Sequence, residues 1–149
     1  MNRLSIQPIC ALSPGVQVLE AEAVAEGFRF LTRLIAEWES GVNQFDRCGE
    51  GFFGAFRDDQ LIAVGGLSYE PYAGSDTGRL RRVYVAPASR GQNVGRFLVN
   101  HLLEHATQRF RTVRLSTDTP EGAAFYVRCG FQPIRDDFAT HVKSLTPTK

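Results

Sequence analysis

The chain has 149 residues, 43% of them hydrophobic, with a formal net charge of +1. That length predicts one domain over residues 1–149, with enough core to fold without disulfide or metal staples. Seventeen basic residues against sixteen acidic ones exclude a generally cationic nucleic-acid binder, and eleven Phe exclude a disordered chain.

Leu4-Ser5-Ile6-Gln7 alternates apolar and polar, as a half-buried strand does. Ser13-Pro14 reads as an N-cap followed by proline at the first helical position, opening a helix to about Glu26 that breaks at Gly27. Phe28, Leu31, Ile35 and Trp38 then recur at helical spacing, a second amphipathic helix closing at Ser40-Gly41. Gly51 to Phe56 and Leu61 to Tyr69, separated by Asp58-Asp59, read as an antiparallel hairpin. Gly65-Gly66 inside its second strand points to a bulge or a close backbone approach.

Leu80 to Val85 is the next strand, stopped by Pro87. A long helix follows from about Asn93 to Phe110, its stripe formed by Leu98, Leu102, Ala106 and Phe110 with Val99 and Leu103 alongside. Thr112 to Ser116 is a strand, and Thr119-Pro120 begins a short helix that Cys129-Gly130 ends. Phe131 to Ile134 and Ala139 to Leu145 close the chain as strands. The predicted order is βααβββαβαββ. It implies a mixed α/β (α+β) fold with helices on both faces of one sheet, and a right-handed parallel crossover from Leu80 to Ser116.

No apolar run approaches the roughly 20 residues that cross a bilayer, so no membrane partner is expected. Cys10, Cys48 and Cys129 have neither zinc-site nor disulfide spacing, which points to a reducing, cytoplasmic setting and no metal. The near-neutral total hides an asymmetry. Residues Met1–Asp76 hold five basic and eleven acidic side chains, and Thr77–Lys149 hold twelve and five. From Thr77 to Leu103 five arginines occur with no acid.

That arginine stretch contains Val85-Ala86-Pro87-Ala88-Ser89-Arg90-Gly91-Gln92-Asn93-Val94-Gly95-Arg96. A strand stops, a glycine-bearing turn follows, and a long helix starts. The first N–H groups of a helix lack partners and carry the positive end of its dipole, so this segment is a potential phosphate cradle. Gly91 and Gly95 would let a pyrophosphate approach the backbone, and Arg90 and Arg96 would add charge.

These residues resemble the central motif of the GNAT superfamily of acyl-CoA-dependent N-acyltransferases. The motif is Arg or Gln, two residues, Gly, one residue, then Gly or Ala, after a strand ending Val-x-Pro. A second family block, a short helix ending in Tyr with three residues before Gly-Phe, is matched by Ala123-Ala124-Phe125-Tyr126-Val127-Arg128-Cys129-Gly130-Phe131. The chain departs from the pattern at three points. Asn93 replaces the first motif glycine, and Asn tolerates left-handed backbone angles best among the other residues. Thr119 stands where many relatives carry Asn. Arg79 stands where many carry a Glu base.

The resemblance implies a mixed, mostly antiparallel sheet of about six to seven strands. It implies acetyl-CoA as cosubstrate and a primary amine of a small molecule or peptide as acceptor. The binding set for acetyl-CoA would be Val83, Tyr84, Val85, Arg90, Gly91, Gln92, Asn93, Val94, Gly95, Arg96, Thr119 and Tyr126. The backbone N–H of Val85 would face the thioester oxygen, and Tyr126 would act as general acid toward the departing sulfur. With Arg79 unable to be a base, Glu70 and Asp118 are the nearest carboxylates, and a water chain is an equal option. Dimers are common among similar proteins, so a homodimer is the assembly the resemblance offers.

Two other readings arise from the residues. His101-Leu102-Leu103-Glu104-His105 matches an H-x-x-E-H zinc pattern, but lacks a suitable downstream ligand. A non-catalytic acyl-CoA-binding regulatory module would keep the cradle and lose the acceptor chemistry. The N-terminal acids Glu20, Glu22, Glu26, Glu37 and Glu39 predict a mild preference for a cationic acceptor. His141, Trp38, Phe45, Phe53, Tyr69 and Tyr72 are candidate cleft residues.

Overall fold

The structure, a computed structural model, describes residues 3–145. The chain runs β1 (Leu4–Pro8), α1 (Pro14–Ala25), α2 (Phe30–Ser40), β2 (Gly51–Arg57), β3 (Gln60–Tyr69) and β4 (Thr77–Val85). A single 3-10 turn (Pro87–Ser89) precedes α3 (Val94–Ala106), β5 (Thr112–Leu115), α4 (Pro120–Arg128), β6 (Gln132–Pro133) and β7 (His141–Ser144). The expected order of strands and α-helices is observed.

Local chemistry sets the boundaries. Pro14 opens α1 after an extended Ser13. Gly27, at φ +91°, breaks the chain before α2, which therefore starts at Phe30 rather than Phe28. Gly41 closes α2 in the left-handed region at φ 81°. α3 ends at Ala106, short of Phe110, where the Thr107 hydroxyl donates to the Glu104 carbonyl at 2.6 Å.

All the strands join one sheet in the order β1-β2-β3-β4-β5-β7-β6. β4 and β5 run parallel and every other pair is antiparallel. One face buries Leu98, Val99, Leu102, Leu103 and Ala106 of α3 over Ala63, Leu67, Leu80 and Val113. The opposite face buries Val16, Leu19 and Ala23 of α1 and Leu31, Leu34 and Trp38 of α2 over Phe52, Val64 and Tyr84. The two-sided cover explains why β3 is buried almost end to end.

Two irregularities position the rest. The register between β3 and β4 shifts between Val64 and Gly66, so Arg82 and Val83 together face Gly65. The glycine pair thus marks a bulge, but the extra residue lies on β4, where Arg82 takes φ +60°. The glycines are required by packing as well. A Cβ on Gly65 would lie 2.9 Å from Leu102 Cδ1, and one on Gly66 would lie 2.5 Å from Phe45 Cε1. The bulge reverses the alternation of β4. Leu80 faces α3 before it, and Val83 and Val85 face α3 after it. The second irregularity is that β4 and β5 pair only at Thr77–Arg79 with Thr112–Arg114. Beyond Arg79 the two strands part.

Candidate active site

The parting of β4 and β5 opens a cleft of about 1430 Å³. Its walls come from both sides of the sheet: the N-terminal end of α3 and one side of α4, and, opposite, the segment from Glu26 to Arg33. Every residue expected to bind acetyl-CoA lines this cleft except Gln92, an exposed residue of the turn.

The backbone of β4 is the central feature. Ala86 N–H donates to Ile62 O at 2.8 Å, while Ala63 pairs with Val85 and Val64 with Tyr84. Hydrogen-bonded and non-hydrogen-bonded pairs alternate in an antiparallel ladder. Val85 therefore turns its N–H and C=O away from β3, toward the gap that β5 has vacated. Arg90 Nε donates to that Val85 carbonyl at 3.1 Å.

The turn before α3 supplies a second set of free backbone groups. Gly91 lies at φ +78° and Asn93 at φ +64°, so Asn93 adopts the left-handed angle its side chain tolerates. No side chain caps α3, so its leading N–H groups face the cleft. A Cβ on Gly91 would meet nothing within 4 Å, whereas one on Gly95 would lie 3.3 Å from both Phe125 Cζ and Val85 Cγ2. Gly91 is thus needed for its backbone angle, and Gly95 for the close seat of α3 against β4 and α4.

Tyr126 lies on the cleft-facing side of α4, between Phe125 at 4.9 Å and Phe131 at 5.7 Å between ring centroids. Burial pushes its phenol well above the usual value, with Cys129 adding to the shift. Thr119 Oγ1 accepts the Gly122 N–H at 3.0 Å and caps α4, keeping its own hydroxyl proton to donate.

Tyr84 and Arg90 meet Glu26, at the end of α1. Arg90 Nη1 and Nη2 donate to the two Glu26 oxygens at 2.8 and 2.7 Å, and Tyr84 Oη donates to Oε1 at 2.5 Å. The Arg90 bond and then the Tyr84 bond lower the Glu26 carboxyl to about 2, against an ordinary value of 4.5. Burial and the Glu26 bond raise the Tyr84 phenol. Nothing in the sequence signalled this bridge, because 58 residues separate Glu26 from Tyr84.

The two carboxylates named as base candidates lie in different settings. Asp118 is exposed and lines the cleft. Glu70 does not line it. Its side chain is fully buried, with Arg79 Nη1 at 2.9 Å and Arg114 Nε at 3.2 Å. Two guanidiniums pair with that carboxylate, so it serves as a structural counterion.

Of the acids behind the expected preference for a cationic acceptor, only Glu26 lines the cleft. Glu37 is engaged by Arg82 at 3.1 Å and Glu26 by Arg90, while Glu20, Glu22 and Glu39 lie outside the cleft. Among the described residues the wall holds eight arginines against three carboxylates, Glu26, Asp118 and Glu121.

His141 is buried with Nδ1 2.8 Å from Thr140 Oγ1, and Trp38, Phe45, Phe53, Tyr69 and Tyr72 likewise lie outside the cleft. His101 and His105 both pack edge-on against Phe53, and His105 Nε2 lies 3.2 Å from the Glu50 carbonyl. Among the described residues no group of three or more His, Cys, Asp or Glu is placed to hold a metal. No helix among them is long and apolar enough to cross a membrane.

Residues 16–131 match the family profile described as the Acetyltransferase (GNAT) family. The chain belongs to the GNAT acetyltransferase family. A crystal structure from Exiguobacterium sp. 255-15, provisionally named an acetyltransferase, superposes with a TM-score of 0.86 at 26% identity, covering 97% of this chain and 95% of that one. A GNAT-family structure from Desulfovibrio desulfuricans gives 0.76 at 18% identity, covering 97% and 100%. The yncA structure from Salmonella typhimurium, determined with its cofactor acetyl-CoA, gives 0.71 at 12% identity, covering 97% and 95%. The last two likenesses are of fold alone. A search of curated proteins returned no match. The seven-stranded, mostly antiparallel sheet with helices on both faces is the GNAT architecture, and the family uses acetyl-CoA.

Proposed function

We propose that this GNAT protein is an N-acetyltransferase that moves the acetyl group of acetyl-CoA to a primary amine by direct attack, with both substrates bound. The observation that carries this reading is the gap between β4 and β5. It sets the unpaired N–H of Val85 beside an uncapped helix N-terminus. A ligand with an amide-bearing arm and a polyanionic end fits both.

Acetyl-CoA supplies the activated thioester, whose C–S bond breaks as the amine nitrogen forms the C–N bond and CoA leaves as the thiol. The Val85 N–H donates to the thioester oxygen as it gains charge. Val83 offers the same edge of β4 to the arm. Gly91 through Gly95 give backbone N–H groups to the pyrophosphate, Gln92 by its backbone only, with Arg96 adding charge. Arg90 contributes less directly, because both its terminal nitrogens already hold Glu26. Tyr126, kept protonated by burial, donates toward the sulfur.

The amine must arrive neutral, since an alkylammonium near pKa 10.4 is not nucleophilic. Nearby positive charge lowers an ammonium pKa. The arginine-rich wall therefore favours the neutral amine, and Asp118 or solvent takes up the proton.

The test is release of free thiol from acetyl-CoA across a panel of amines, with wild type and Tyr126→Phe. Amine-dependent release is expected, with a turnover number at least tenfold lower in the variant and little change in acetyl-CoA affinity. Binding of acetyl-CoA without turnover across the panel would favour the regulatory-module reading instead. An unchanged turnover number would remove Tyr126 from the chemistry.

A further inference from the structure

The sheet face formed by β4, β5 and β7 on the side of α1 and α2 carries four arginines, and three of them form ion pairs with carboxylates. Arg79 reaches Glu70 at 2.9 Å, the Phe138 carbonyl at 2.9 Å and Ser116 Oγ at 3.0 Å. Arg114 reaches Asp136 at 2.7 Å and Glu70 at 3.2 Å. Arg82 reaches Glu37 at 3.1 Å.

Arg81 is the exception. It is half-buried and lines the cleft, and among the described residues its guanidinium has neither a hydrogen bond nor an ion pair. Burial first, and then the charge of Arg82, make its guanidinium less favourable there than in water, and Glu37 and Glu70 offset this only in part. A partly buried charge flanked by like charges is costly unless an anion meets it. The planar fork of arginine suits a carboxylate or a phosphate, which it can engage with two parallel hydrogen bonds.

Arg81 and Val85 belong to the same strand, four residues apart, or about 13 Å at 3.3 Å per residue. The bulge at Arg82 shortens that path, and the arginine side chain covers part of it. A small molecule can therefore reach from one group to the other.

We infer that the acceptor is a small amine carrying a carboxylate or phosphate, and that Arg81 is the residue that binds this oxyanion. The inference rests on reading the cleft as an acetyl-transfer site, and it names the substrate class of that site. The arginine wall that accepts the anion also repels polyamines. Selection thus acts by attraction of one class and exclusion of another.

The test is calorimetric binding to the full chain saturated with CoA, which needs no turnover. The probes are pairs: L-amino acids against their carboxamides, and O-phosphoethanolamine against ethanolamine. At least one oxyanion-bearing probe is expected to bind tenfold or more tightly than its uncharged-end partner. Which pair discriminates separates carboxylate from phosphate. Arg81→Gln should abolish the preference and Arg81→Lys should restore part of it, while the CoA-induced rise in Tm in both variants reports an intact fold.

Absence of any such preference overturns the inference, as does a preference that survives in Arg81→Gln. Selective binding without thiol release in the acetyl-CoA assay would leave the anion site standing and sink the acetyl-transfer reading. Thiol release with polyamines alone would do the reverse.

Discussion

Glu26 ties α1 to the turn before α3 through Arg90 and to β4 through Tyr84. Its carboxyl is held near 2, below its ordinary 4.5, so the bridge stabilises the fold above about pH 4.5 and fades as the pH falls toward 2. Glu26→Gln should lower Tm at pH 7 and flatten the dependence of Tm on pH between 4.5 and 2. A variant with wild-type acid sensitivity would show that other carboxylates dominate that range. The left-handed tolerance of Asn93 could be read from the sequence, because residue type alone dictates it. The counterion role of Glu70 could not, because Arg79 and Arg114 come from two neighbouring strands whose register no local pattern encodes.

At the scale of elements, amphipathic spacing located α2 and α3, and proline and glycine punctuation placed most ends. The buried stripe of α3 contains Leu98, Val99, Leu102, Leu103 and Ala106 as the periodicity requires. The bulge was legible only as a hint. Gly65 and Gly66 lie on β3, yet the extra residue is on β4, since the glycines make room for Leu102 and Phe45.

Gly95 shows a similar displacement of cause. It seats α3 closely against Phe125 and Val85. Gly95→Leu should overpack that seat, costing about 1–3 kcal/mol, and remove the CoA-induced rise in Tm. Gly95→Ala, whose Cβ finds 3.3 Å contacts, should keep much of it. A full CoA-induced rise in Gly95→Leu would mean that the position of α3 does not govern binding.

For the whole molecule, the split between an acidic first half and a basic second half does not persist as two surfaces. Glu26 and Glu37 reach across to Arg90 and Arg82, which leaves a cleft wall rich in arginine. The basic second segment reappears in the arginine-rich wall near α3, whereas Glu26 and Glu37 of the acidic first segment are paired with arginines.

The central claim is that CoA occupies the gap between β4 and β5. The most direct test follows backbone amide resonances while CoA is added to the labelled protein. The amides of Val83, Val85 and Gly91 through Arg96 should move most, with those of α4 around Tyr126 following. If those amides stay still while others shift, or if none shifts, CoA does not bind in this cleft.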